Sequence, residues 1–248
     1  MLKNFCNEEF DIIIQAGQSN SEGCGLGPVD KPFEPNENIY MMENNFTIMT
    51  ARENIRGNDV VGNFVFPFAE NYVKGGHLKE GRKLLILLAA VGGTGFRDKR
   101  WGMQDDLYLR MIDMVNAAMG LNPKNSVKAF LWHQGESDAL EPNQSRHYDN
   151  LKGLVASVRQ LTGDIPFIAA DFVQHWKKTH GLEKCDPIIN AIRDVCNDIG
   201  RAGFMETTGL KSNDEEVGGG DDIHFSRKSL YIMGEEYFRI WEGIVVSS

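Results

Sequence analysis

The 248-residue chain reads as an α/β protein, a three-layer α/β/α sandwich around a central parallel sheet of about five strands. Three observations carry that reading. Short, β-favouring apolar runs at 12–14, 84–89, 127–132 and 167–173, with a weaker one at 203–207, stop abruptly at glycine or polar residues, as strands covered on both faces do. Amphipathic segments of roughly 11–16 residues alternate with them, the order expected of βαβ units with right-handed crossovers. No internal repeat, low-complexity tract or linker divides the chain, so residues 1–248 are expected to form one domain.

The first strand leads through Gln15, Ala16, Gly17 and Gln18 to Ser19, at the carboxyl end where α/β sheets gather their chemistry. A serine there is also a common helix N-cap, so this stretch alone leaves cap and nucleophile both open. Glycines, prolines and asparagines from Gly23 to Asn38 mark a loop over the strand's end. Residues 39–42 and 46–49 suit a short hairpin. Phe64, Val65, Phe68, Ala69 and Tyr72 form a helical stripe closed by Gly75 and Gly76. The run 84–89 stops at Gly92-Gly93-Thr94-Gly95, whose spacing fits neither the dinucleotide fingerprint nor the P-loop. A helix over 105–119 follows, ending at Gly120, its methionines suited to core filling.

The strand 127–132 opens onto a polar cluster, His133-Gln134-Gly135-Glu136-Ser137-Asp138. Next come a helix over 148–161 stopped by Gly163, the strand 167–173, a helix over 185–199 begun by Asp186 and Pro187, and the last strand. Residues 212–222 read as a solvated loop feeding Asp221-Asp222-Ile223-His224-Phe225. A final helix spans 226–241, with Tyr231, Gly234, Phe238 and Trp241 on one face.

A chain of this length buries roughly 70–75% of its unfolded surface without disulfides. Its formal charge of −9 argues against a nucleic-acid partner, which needs a basic face to displace counterions. No apolar run approaches the ~20 residues that span a bilayer, so no membrane partner is expected. Cys6, Cys24, Cys185 and Cys196 form no CxxC pair, and Glu8 and Glu9 stand where a leader needs an apolar core; a reducing cytoplasm is the expected compartment. Oligomeric state leaves no trace in the sequence.

Acyl transfer by serine needs a nucleophile, a histidine to take its proton, a carboxylate to orient that histidine, and donors for the oxyanion. Ser19 is the candidate nucleophile and His224 the candidate base. Asp221, three residues earlier, can reach the imidazole Nδ1 while Nε2 faces Ser19, and Gly218, Gly219 and Gly220 permit the sharp path this needs. The candidate oxyanion donors are the backbone N–H groups of Ser19 and Gly93 and the side-chain amide of Gln134, which donates without bringing charge. Asn20 is expected to fix the turn by bonding to local backbone.

Gly17-Gln18-Ser19-Asn20, Gly92-Gly93-Thr94 with Trp101 following, the Trp132 to Asp138 cluster and Asp221-Asp222-Ile223-His224-Phe225 resemble the four blocks of the SGNH-hydrolase superfamily. More narrowly they resemble its carbohydrate acetylesterases, the branch of acetylxylan esterases and sialic-acid-specific O-acetylesterases. The blocks run in family order from residue 11 to 225. The resemblance implies a flavodoxin-like fold and a triad of Ser19, Asp221 and His224. It also implies an oxyanion hole from Ser19, Gly92 or preferably Gly93, and Gln134 where the wider superfamily has asparagine. Glu136 stands as an alternative acid, since some members of the branch use this glutamate. The implied activity is cofactor-free removal of O-acetyl groups from a small saccharide through an acetyl-serine, with acetylated xylo-oligosaccharide and O-acetyl sialic acid both open. Arg97, Lys99 and Arg100 suit either an anionic sugar or a solvated face.

Two other classes fit part of the pattern. His133, Glu136 and His224 carry the ligand types of a zinc hydrolase, which leaves Ser19 and Gly93 without a use. A non-catalytic carbohydrate-binding module would employ the same cleft, but it has no need of a nucleophile beside a base.

Overall fold

Ile12, Ile13 and Ile14 are wholly buried because their strand, β1 (Glu9–Gly17), lies in the middle of the sheet. The computed structural model describes residues 5–247. After β1 come α1 (Ser19–Glu22), β2 (Ile39–Met42), β3 (Ile48–Thr50), β4 (Asn54–Arg56), β5 (Asp59–Val61), α2 (Val65–Lys74), β6 (Arg82–Leu88) and α3 (Asp106–Gly120). The second half holds β7 (Ser126–His133), a 3₁₀ turn (Asp138–Leu140), α4 (Gln144–Thr162), β8 (Phe167–Ala170), α5 (Gln174–His180), α6 (Leu182–Asp198), β9 (Ala202–Met205), α7 (Asn213–Val217) and α8 (Arg227–Val246).

The α/β/α sandwich is present, with a sheet larger than expected. It has seven strands in the order β3-β2-β6-β1-β7-β8-β9 rather than about five. The difference is the 39–50 hairpin: β2 adds in parallel along β6, pairing Ile39 to Met42 with Leu84 to Leu87, and β3 closes the edge antiparallel. All four residues of β2 are buried, so the hairpin continues the core. Helix α2 packs against α8, and α4 against α6.

Boundaries moved where local signals misled. Helix α6 begins at Leu182, so Pro187 sits inside it rather than at its start; the ring costs the helix the one bond that residue would have donated back. The 212–222 stretch is not wholly a solvated loop. Ser212 is buried and caps α7, accepting from Glu215 N–H while the Glu215 carboxylate accepts from Ser212 N–H. Helix α5 and the separate β4–β5 hairpin were not anticipated.

Strands β1 and β7 end side by side, Gly17 opposite His133. A Cβ on Gly17, at φ 128°, would stand 2.0 Å from the His133 carbonyl oxygen. Only glycine lets the two strand ends approach this closely, and that approach brings the Ser19 turn against the 133–138 cluster.

Candidate active site

The chain leaves β1 through Gln18, whose N–H donates to the His133 carbonyl at 2.9 Å. Gln18 occupies the cap position of α1, which has no side-chain cap bond. Ser19 is therefore not a cap, and its hydroxyl goes elsewhere. Ser19 Oγ lies 2.9 Å from His224 Nε2, and His224 Nδ1 lies 2.9 and 3.0 Å from the two Asp221 oxygens. Asn213, at the start of α7, donates to Asp221 Oδ2 at 2.8 Å. Burial would push the Asp221 carboxyl up, but hydrogen bonds from His224 and Asn213 outweigh it and hold the group below the usual aspartate value. It stays a carboxylate at neutral pH.

Glu136 is placed elsewhere. Its Oε1 accepts from Asn20 Nδ2 at 2.8 Å and lies 3.1 Å from His133 Nε2, with the whole side chain buried. Burial raises this carboxyl and the His133 pairing, with the Asn20 bond, overrides it, so Glu136 too sits below its usual value. The histidine's acid partner in this geometry is Asp221.

Asn20 does not tie down local backbone. Its Nδ2 donates to Glu136 and to the Ile223 carbonyl at 3.1 Å, and its Oδ1 accepts from Phe225 N–H at 3.0 Å. It holds the main chain on both sides of His224 from 203 and 205 residues away.

The two glycines of the second cluster differ in what their N–H groups do. Gly92 N–H donates to Glu22 Oε2 at 3.0 Å. Gly93, at φ 71°, has no protein acceptor for its N–H among the described residues and lines the cavity at Ser19. Gln134 does not line it. Its Nε2 donates to Asp138 Oδ2 at 2.7 Å and to the Thr94 carbonyl at 3.2 Å, and the side chain is buried beneath the site.

The cavity, about 380 Å³, is bounded by Gln18, Ser19, Gly93, Glu136, Ser137 and His224 on one side, with Leu140, Trp176, His180 and Ile223 completing the wall. The Trp176 and His180 rings stack with centroids 4.6 Å apart at 10°. A larger cavity of about 620 Å³, between β9 and α8, contains none of these groups. The basic residues of the second cluster stand apart. Arg97 pairs with Glu141 at 3.3 Å, Arg100 with Asp106 at 2.8 Å, and Lys99 is exposed; none lines the cavity.

Cys24 Sγ donates to the Ser19 carbonyl at 3.1 Å. Burial pushes this thiol up to about 11, so it stays neutral and offers no rival nucleophile. The zinc-type set is not gathered: His133 and Glu136 engage each other, while both nitrogens of His224 serve Asp221 and Ser19.

A hydroxyl, an imidazole and a carboxylate thus stand in one hydrogen-bonded row at the carboxyl ends of the parallel strands, the arrangement that acyl transfer by serine needs. The family model "Carbohydrate esterase, sialic acid-specific acetylesterase" matches residues 9–241, and the chain belongs to that family. A curated relative, the "Probable 9-O-acetyl-N-acetylneuraminic acid deacetylase" of Escherichia coli K12, is 28% identical over 89 residues, covering 32% of this chain and 27% of the relative. The match thus spans about a quarter of that relative's length. Among solved structures, NanS superposes with a TM-score of 0.78 at 16% identity, covering 97% of this chain and 98% of NanS. An Arabidopsis thaliana protein gives 0.74 at 20% identity over 94% and 98%. Axe2, an acetyl-xylooligosaccharide esterase from Geobacillus stearothermophilus, gives 0.54 at 11% identity over 95% of each chain. These likenesses are of fold.

Proposed function

We propose that the protein is a serine O-acetylesterase acting on an acetylated sugar through an acetyl-serine, without a cofactor. The observation that carries this reading is the Ser19 Oγ to His224 Nε2 contact of 2.9 Å, with Asp221 behind the imidazole. His224 takes the serine proton as Oγ bonds to the acetyl carbon. The carbonyl oxygen becomes negative against the N–H groups of Ser19 and Gly93. The sugar oxygen then leaves with the proton from His224, and water, activated by the same histidine, releases acetate and restores the serine.

The family match and the curated relative both favour an O-acetyl sialic acid as substrate, ahead of an acetylated xylo-oligosaccharide. The stacked Trp176 and His180, with Leu140 and Ile223, offer an apolar wall to the sugar. The test is acetate release from O-acetyl sialic acid and from acetylated xylo-oligosaccharide by the wild type and Ser19→Ala. Turnover on the first with a loss on the order of 10⁴-fold or more in the variant is expected. Near-normal turnover by Ser19→Ala would sink the mechanism.

A further inference from the structure

Two oxyanion donors are provided by backbone, and Gln134, the side chain that sequence pointed to as the third, is turned to Asp138 and Thr94. The residue immediately before the serine is the one that faces the cavity. Gln18 lines it beside Ser19 and Gly93 while being only 2% exposed. Its Oε1 accepts from Ser137 N–H at 3.1 Å, with Gly135 N–H and Gln134 Nε2 each at 3.4 Å. Donors on that side identify the atom there as the carboxamide oxygen, so the NH₂ occupies the other arm of the amide plane. That nitrogen has no protein acceptor among the described residues, yet it is not one of the side-chain atoms sealed from solvent without a partner. A nearly buried carboxamide thus keeps a neutral donor at the cavity wall, its orientation locked from behind by the 135–137 main chain.

We propose that Gln18 is a catalytic residue of this site: its Nε2–H is the third donor to the carbonyl oxygen that becomes negative as Ser19 attacks. The assignment rests on the serine-esterase reading above. Preorganisation is the physical reason it contributes. The amide is aimed before substrate arrives, and it stabilises developing charge without itself carrying any.

The experiment measures kcat and KM for acetyl ester hydrolysis in the wild type, Ser19→Ala, Gln18→Ala and Gln18→Glu, with a thermal melt of each. Gln18→Glu keeps an oxygen to accept from Ser137 N–H but puts a second carboxylate oxygen where the donor was. Both Gln18 variants are expected to lose about 10²–10³-fold in kcat, the effect of one oxyanion donor, with KM within about threefold. Gln18→Glu, which retains the bond to the 135–137 loop, is expected to melt near the wild type. Should Gln18→Glu melt early, Gln18→Ala carries the test on its own. If Ser19→Ala is inactive while either folded Gln18 variant keeps kcat within about threefold of wild type, or raises only KM, the assignment of Gln18 is wrong and the esterase reading stands. If Ser19→Ala stays active, the esterase reading fails and this assignment with it.

Discussion

At the level of single residues, the two carboxylates near the histidine have different neighbours and therefore different work. Asp221 meets Nδ1 of His224 and is half-buried, whereas Glu136 is enclosed and meets His133 and Asn20. An orienting carboxylate fixes the imidazole tautomer, and its amide counterpart stabilises the wrong one. Asp221→Asn is therefore expected to lower kcat on the order of 10³–10⁴-fold, and Glu136→Gln by about tenfold or less, since the amide oxygen left at that position would still accept from Asn20. Steady-state kinetics on one acetyl ester compare the pair. The reverse ranking would make Glu136 the orienting acid.

The elements that form the site are joined at one side chain. Asn20 in α1 links the cluster following β7, through Glu136, to the segment before α8, through Ile223 and Phe225. Asn20, Glu136 and Phe225 are buried and the Ile223 carbonyl is partly so. Truncation therefore leaves the Phe225 N–H without its acceptor and takes one donor each from the Ile223 carbonyl and from Glu136, which keeps His133. Asn20→Ala is expected to cost about 3 kcal/mol, a melting point lower by roughly 6–12 °C, and to slow Ser19 labelling by a fluorophosphonate because His224 is less firmly held. An unchanged melting point would show that these bonds are dispensable. The hydroxyl and the histidine come from opposite ends of the chain, and this buried junction, together with Asn213, which bonds to Cys24, Leu26 and Asp221, ties them together.

For the molecule as a whole, acid stability follows mainly from the buried and half-buried carboxylates held below their usual values, Glu136, Asp138 and Asp221; Glu9 and Asp106 are lowered too, but at the surface, where solvent screens their pairs. In Asp138, burial is again outweighed, here by His147, Gln134 and the Phe96 N–H. Because the folded values are the lower ones, the unfolded chain takes up protons first. Their contribution is complete above the ordinary carboxylate range, and it is lost as pH falls from about 4 through the folded values. Urea midpoints are expected to be nearly flat from pH 7 to 5 and to fall steeply below about 4. Asp138→Asn is expected to flatten that fall, and an identical slope in the variant would mean Asp138 is not among its causes. No helix among the described residues is long and apolar enough to cross a membrane.

Local chemistry determined what could be read before folding. Alternating strands and amphipathic helices specify an α/β sandwich because burial on two faces needs unbroken apolar runs. The contacts among Ser19, His224 and Asp221 were legible because each residue follows a strand end or a glycine-rich turn, and Asp221 and His224 are only three residues apart. Long-range contacts determined the rest. Whether 39–50 would join the sheet depended on the exposed edge of β6. The cap reading of Ser19 is excluded by the start of α1, where Gln18 holds the cap position, and the serine hydroxyl meets His224 from 205 residues away. Gln134 and Gln18 are both glutamines beside strand ends, and nothing in their neighbours distinguishes them. Asp138 accepts from the amide of one, while the Ser137 N–H donates to the amide oxygen of the other, whose NH₂ has no protein acceptor among the described residues. A hydrogen bond's partner is chosen by position in space, and sequence spacing specifies that only within a turn or two.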